Sequence, residues 1–212
     1  MRTLLVMNSK GGSGKSTLCT NLAAYFAHAE QEKVVLQDFD RQGSSTDWLT
    51  VRPETSTVIG GQQAWEGVSR VPRDTHWVIM DSPAALQGKE LQKLVRSAQT
   101  ILIPVLPSPM DIRAAAKFVQ DILLVGKVSS RQVKIGIVAN RVREFTLIYQ
   151  QLEKFLNRLN FDFVARLRAT QNYVRSAERG IGIHEMPPST VYEDLTDWEP
   201  LIKWLKSKNS LP

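Results

Sequence analysis

Ser9-Lys10-Gly11-Gly12-Ser13-Gly14-Lys15-Ser16-Thr17 decides how the rest of the chain is read. The stretch follows an apolar run, Thr3-Leu4-Leu5-Val6-Met7, that reads as a buried strand. It precedes Leu18 to Ala29, whose apolar spacing reads as a helix. Strand, glycine loop and helix N-terminus together make a phosphate cradle. Small residues let backbone N–H groups curl around phosphate oxygens, and the helix start adds partial positive charge. In such a loop Gly11, Gly12, Ser13 and Gly14 form the cradle, Lys15 reaches the β- and γ-phosphates, and the Ser16 hydroxyl binds Mg²⁺. The strict pattern G-x-x-x-x-G-K-[ST] asks for glycine where this chain has Ser9. With Lys10 and Gly11-Gly12, the loop takes the deviant form K-G-G-x-G-K-[ST].

One lysine suffices to hold a nucleotide within a subunit. The second, Lys10, stands at the rim of the loop. From there its ammonium can reach a neighbour's nucleotide and neutralise charge that develops during phosphoryl transfer. A group supplied in trans in this way is worth roughly 10³–10⁵ in rate, and hydrolysis would then depend on dimerisation. The plainer reading is an exposed lysine that raises the local positive potential.

Other apolar strands also end in polar groups. Val34-Val35-Leu36-Gln37-Asp38-Phe39-Asp40 places two carboxylates two residues apart, ahead of the turn Arg41-Gln42-Gly43-Ser44-Ser45. Alternate strand residues share a face, so both acids can face the nucleotide, one holding the Mg²⁺ shell and the other orienting water. Trp77-Val78-Ile79-Met80-Asp81 is closed by an acid that belongs on the Mg²⁺ side. Pro83 then frees the following loop to respond to a γ-phosphate. The strand Val133 to Arg141 brings Asn140 to its end. That amide can both donate to and accept from an adenine edge, or serve as a turn residue. Asp111 reads as the cap of the helix after Pro107-Ser108-Pro109.

In order and content these motifs resemble the ParA/MinD family of deviant-Walker ATPases, most closely its small ParA-type partition and positioning members. The resemblance spans nearly the whole chain. It implies an ATP-sandwiched homodimer in which Lys10 reaches across, Lys15 holds phosphates, Thr17 lies near the α-phosphate and Asn140 binds the base. It further implies that Asp40 positions or activates water while Asp38 supports the metal region. Catalysis would thus fall to Lys10, Lys15 and Asp40, and the metal to Ser16, Asp38 and Asp81. Arg41 stands where the family has proline, which puts a positive charge beside Asp40. ATP and Mg²⁺ are the implied cofactors.

The rhythm of the 212 residues agrees. Strands are expected near 3–8, 33–38, 76–81, 100–105, 133–139 and 161–167. Helices are expected over 16–29, 44–50, 88–98, 111–126, 145–159, 170–179 and 193–208. Alternation of this kind means crossover helices and an α/β, doubly wound, mostly parallel sheet flanked by helices, here one domain over residues 1–212. Ligands in such sheets sit beyond the carboxyl ends of strands, where every acid and glycine named above falls. Residues 51–75 are the least regular and are expected to hold a short helix around Trp65. The N-terminus runs straight into a strand and is not a signal peptide. No stretch approaches the roughly 18 apolar residues of a spanning helix. The single Cys19, expected to be buried, permits no internal disulfide and suits a reducing cytoplasm.

Formal net charge is +6, and residues 131–182 alone hold ten Lys/Arg against four acids, which accounts for all of it. Phosphate neutralisation by such residues drives non-specific DNA binding. Arg141, Arg143, Arg166, Arg168, Arg175 and Arg179 are the candidates, the last two on one helix face. A solvated basic face without a partner is the plainer reading. The family likeness implies a cytoplasmic, nucleoid-associated ATPase whose dimer coats DNA. A ParB-like or analogous stimulator on a plasmid, chromosome or protein organelle such as a carboxysome would trigger its hydrolysis. The alternative is a MinD-like membrane-cycling ATPase, because Leu201-Ile202-Lys203-Trp204-Leu205-Lys206-Ser207-Lys208 is amphipathic and basic. Packing of that segment on the sheet is the preferred reading, which makes a membrane partner the weaker expectation.

Overall fold

The computed structural model describes residues 1–68, 70–126, 132–143 and 162–212. The strands are β1 (Arg2–Val6), β2 (Val34–Asp38), β3 (Gly60–Gln63), β4 (Trp77–Asp81), β5 (Thr100–Val105), β6 (Lys134–Val142) and β7 (Asp162–Arg168). Six α-helices lie among the described residues: α1 (Lys15–His28), α2 (Ser44–Thr50), α3 (Gly88–Ser97), α4 (Pro109–Gly126), α5 (Asn172–Glu178) and α6 (Pro188–Lys206). The sheet runs β3-β2-β4-β1-β5-β6-β7 and every adjacent pair is parallel.

β1 explains the arrangement. Leu4, Leu5 and Val6 expose no surface. Leu4 and Val6 pack with Leu18, Leu22 and Phe26 of α1 and Trp198, Leu201 and Leu205 of α6. Leu5 and the following Met7 pack instead with Leu91 and Leu94 of α3 and Ile112, Phe118 and Ile122 of α4. A strand buried on both faces has no polar side, so it reads as an unbroken apolar run. With β4 on one flank and β5 on the other, β1 occupies the topological switch point, where the loops diverge and leave a crevice at the carboxyl ends.

The C-terminal helix spends its apolar side on the sheet. Leu201 and Leu205 are fully buried, Lys203 and Lys206 face out, and the Trp204 ring covers Gly136 so closely that a Cβ there would lie 2.9 Å from it. This is the packing expected of the amphipathic tail. Cys19, on α1, is fully buried with its thiol toward the Met80 carbonyl at 3.7 Å. Burial pushes that thiol's pKa up, reinforced by the carboxylates of Asp81 and Asp38.

Three expectations need amendment. Trp65 lies in a turn after β3, not in a short helix. β3 itself, Gly60-Gly61-Gln62-Gln63, is an edge strand paired with β2, and its composition carries no strand signal. The last helix begins at Pro188, earlier than 193, with proline at its start where the missing N–H costs nothing. The helix expected over 145–159 lies outside the described residues.

Candidate functional site

The loop from β1 to α1 is shaped for an anion. Asn8 fastens its start: Nδ2 donates to the Pro104 carbonyl at 2.6 Å, and Oδ1 accepts from the Lys10 N–H at 3.0 Å. The α1 N-cap is Gly14, at φ +94°, and it has no side chain to satisfy the first-turn N–H groups. Those donors are left for a ligand. No larger residue fits at Gly14, because a Cβ would stand 2.2 Å from Asn140 Nδ2. Lys15 Nζ donates to the Lys10 carbonyl at 3.3 Å. Burial lowers the Lys15 pKa, opposed by the nearby Asp81 and Asp40 carboxylates. A cavity of about 440 Å³ opens here, lined by Gly11, Gly12, Gly14, Lys15, Ser16, Thr17, Asp40, Gln42, Ser44, Pro83, Ala84 and Arg141. A roomier cavity of about 830 Å³ lies along β3 and α2, but no lysine or arginine lines it.

The three carboxylates have different occupations. Asp81 is 1 % exposed; one oxygen accepts from the Ser45 hydroxyl, and Oδ1 is buried without a hydrogen-bond partner. Burial raises its pKa to about 6, against the pull of the Ser16 and Ser45 hydroxyls. The buried Asp81 carboxylate and the neighbouring Ser16 hydroxyl offer oxygen donors that suit a hard divalent cation. Asp38 is already engaged: Oδ1 accepts from the Asp40 N–H at 3.0 Å, and Oδ2 from the N–H groups of Ser45 at 3.1 Å and Thr46 at 3.0 Å. It therefore anchors the start of α2 and positions Ser45, whose hydroxyl donates to Asp81. Asp40 lines the cavity and accepts from the Gln42 N–H at 3.0 Å, with its other oxygen uncommitted among the described residues.

Lys10 does not hang free. Its Nζ is 2.9 Å from Asp111 Oδ1. Asp111 is not the helix cap. Ser108 is: its Oγ accepts from the Asp111 N–H at 3.1 Å, and Asp111 answers from the first turn of α4 by accepting from the Ser108 hydroxyl. Burial would raise the Asp111 pKa, but the Ser108 hydroxyl and the Lys10 ammonium outweigh it and hold the group below the usual range.

α2 is secured at its far end as well. Arg52 gives Glu185 a two-pronged salt bridge, with Nη1 at 2.9 Å and Nη2 at 2.7 Å. It also donates to the carbonyls of Thr57 and Gly180, and both side chains are nearly buried.

The candidate DNA-binding arginines are scattered in role. Arg141 lines the cavity at the phosphate loop. Arg168 is paired with Glu193 and with Asp194 on α6. Arg143 and Arg166 are also engaged in interactions. Arg175 and Arg179, on α5 and at its end, are exposed cations without a partner among the described residues.

A seven-stranded parallel sheet with a two-lysine phosphate loop at its switch point defines a P-loop nucleotide-binding protein of the deviant-Walker class. The chain belongs to the CobQ/CobB/MinD/ParA nucleotide binding domain family, which it matches over residues 4–183. It is similar to maintenance of carboxysome distribution protein A of Gloeobacter kilaueensis, with 29% identity over 188 residues that cover 86% of this chain and 83% of that one. In fold it is similar to the MinD cell division protein of Aquifex aeolicus, at TM-score 0.72 and 18% identity, covering 100% of this chain and 99% of that one. Its fold is also shared by cobyrinic acid a,c-diamide synthase of Mycobacterium smegmatis, solved with an ATP analogue and magnesium. There the TM-score is 0.72 at 17% identity, with 100% of this chain and 98% of that one covered. Among the described residues no helix is long and apolar enough to cross a membrane.

Proposed function

We propose that this chain is a Mg²⁺-dependent ATPase that pairs with a second copy around ATP, binds DNA without sequence preference and positions a cargo. A partner protein on that cargo would trigger hydrolysis. The observation that carries the reading is the second lysine. Lys10 directly precedes the cavity-lining Gly11, is not needed by the phosphate loop itself, and among the described residues its ammonium is held by the partly exposed pair with Asp111. Such a pair is worth about 0–1 kcal/mol, so a better anion across an interface can take the ammonium.

The geometry supports one distribution of roles. The α1 N-terminus and Lys15 hold the β- and γ-phosphates. Ser16 and the unspent Asp81 oxygen are the groups that would hold Mg²⁺, which supplies neutralisation of the phosphate charge when bound. Asp40, on a loop braced by Asp38, orients water toward the γ-phosphate, and Lys10 of the neighbour meets the charge that develops. Arg175 and Arg179 offer the free cations for DNA phosphates. A cytoplasmic, nucleoid-associated protein of the carboxysome- or plasmid-positioning kind is the setting that the relatives' names suggest. The buried apolar face of α6 weighs against membrane cycling.

Sedimentation of the wild type and Lys10→Ala, with Mg²⁺ and the non-hydrolysable imido analogue of ATP, tests the reading. Arbitrary duplex DNA is added in a second run. The wild type is expected to dimerise and then bind DNA in a salt-sensitive way, while Lys10→Ala binds nucleotide but stays single. A wild type that remains a lone subunit at saturating analogue would overturn it.

A further inference from the structure

The phosphate loop and the segment after β5 are tied together twice. Asn8 Nδ2 donates to the Pro104 carbonyl on β5, and Lys10 Nζ lies 2.9 Å from Asp111 Oδ1 on the first turn of α4. The Lys10 backbone is fastened on both sides. Its N–H donates to Asn8 Oδ1 at 3.0 Å, and its carbonyl accepts from Lys15 Nζ and from the Ser13 hydroxyl, each at 3.3 Å. Only the side chain is left to choose a destination. Gly11, Gly12, Gly14 and Lys15 line the phosphate-loop cavity, whereas the Lys10 ammonium is drawn toward α4.

Asp111 is prepared for that ammonium. Its two oxygens have separate tasks: Oδ2 accepts from the Ser108 hydroxyl, and Oδ1 faces Lys10. The Asp111 N–H donates back to Ser108 Oγ at 3.1 Å, so the carboxylate is oriented whether or not the lysine is present. Its side chain is 17% exposed against 38% for Lys10. The acid is the fixed member of the pair and the lysine the movable one.

We infer that Asp111 is a latch on pairing: in the lone subunit it occupies the ammonium that a second copy's triphosphate must take. This rests on the ATP-dependent pairing proposed above. Each dimer then forms by exchanging two Lys10–Asp111 pairs for two lysine–phosphate contacts. The exchange leaves two carboxylates without their counter-ions, close to the incoming phosphates. Both effects favour separate subunits. A triphosphate with its several charges wins the lysine from a single carboxylate, but with a smaller net gain than it would have from a free lysine. Asp111 does not line the phosphate-loop cavity and acts through Lys10, so it is a positioning residue that sets the protein concentration at which two copies close. A partly exposed pair is weak, and two are broken per dimer. Removing them is therefore worth about 3- to 30-fold in the dimer dissociation constant.

Sedimentation equilibrium of wild type, Asp111→Asn, Asp111→Glu, Lys10→Ala and the double variant Asp111→Asn with Lys10→Ala tests this, each with Mg²⁺ and saturating imido analogue of ATP. Asparagine keeps an oxygen for the Ser108 hydroxyl and a backbone N–H for Ser108 Oγ, so the start of α4 is retained. Asp111→Asn is expected to dimerise about 3- to 30-fold more tightly than wild type. Asp111→Glu, which restores the charge, should lie within threefold of wild type, and the double variant should stay single as Lys10→Ala does. An Asp111→Asn protein that pairs no more tightly than wild type overturns the latch. So does an Asp111→Glu protein that matches Asp111→Asn, because the charge would then be irrelevant. A double variant that pairs again also overturns it, since Asp111 would be acting by its own charge and not through the lysine. A wild type that never pairs refutes the dimer reading itself, a result distinct from these.

Discussion

Replacing Arg52 with methionine should cost this protein a large share of its stability. The guanidinium lies 5.3 Å from the Trp48 ring centroid, donates twice to Glu185 and also serves the Thr57 and Gly180 carbonyls. The Arg52 and Glu185 side chains are only 6% and 7% exposed. Close approach is possible because position 180 is glycine at φ +63°, where a Cβ would stand 2.5 Å from the Arg52 backbone. Arg52→Met leaves the buried Glu185 carboxyl group without its counter-ion, which typically costs about 3–5 kcal/mol. For a chain of this size that is a fall of roughly 6–20 °C in the melting midpoint. The double change Arg52→Met with Glu185→Leu removes both charges and should recover most of the loss. A residue of about 1–2 kcal/mol would remain, because the Thr57 and Gly180 carbonyls and the Gly182 N–H, now bonded to Glu185 at 2.7 Å, lose partners. Urea unfolding of the three proteins, read by tryptophan fluorescence, measures this. A single variant within about 1 kcal/mol of wild type, or a double variant no better than the single, would refute the reasoning.

Two further outcomes are expected. His184 is wedged between the Tyr25 and Trp198 rings with Nδ1 buried and unpaired, and burial lowers its pKa from 6.5 to about 4. The unfolded chain therefore takes up the proton first, so stability falls as pH drops below 6.5 and levels near 4. At pH 5 the loss from this group is about 2 kcal/mol, and in His184→Phe the drop between pH 7.5 and pH 5 should shrink by that amount in urea titrations. Asp40→Ala should keep affinity for the ATP analogue within a few-fold, since Asp40 does not hold the phosphate loop, while hydrolysis falls at least 100-fold. Phosphate release at saturating ATP decides it, and a variant hydrolysing at the wild-type rate would remove Asp40 from the mechanism.

The phosphate loop, β1 and β4 were legible because local and long-range demands agree there. A strand buried on both faces must be apolar throughout, and an anion cradle must be small-residued. The acids at strand ends followed from the same logic. β3 was not legible, since Gly60-Gly61-Gln62-Gln63 owes its strand to the free edge of β2 rather than to its own side chains. Trp65 sits in a turn rather than a helix because its apolar ring answers to packing over Gly43, 3.6 Å from where a Cβ would lie, and not to a helical face. Within the site, the sequence could not tell that Asp38 is spent on α2, that Asp111 holds Lys10, or that Arg141 turns into the cavity. Each depends on a backbone direction that spacing does not encode. The hydroxyl of Ser45 had a faint signal, a serine opening a helix just after the acid-rich strand.

The placement of Cys19 has a practical side. The chain's one thiol is shut beneath the phosphate-loop helix and kept protonated by its surroundings, so maleimides and mild oxidants should pass over it while the protein is folded. New cysteines can therefore be placed on the exterior and tagged selectively with fluorophores or spin labels, leaving the native one untouched. Conversely, the moment Cys19 does react, α1 has come away from the sheet, which makes it a built-in reporter of that opening.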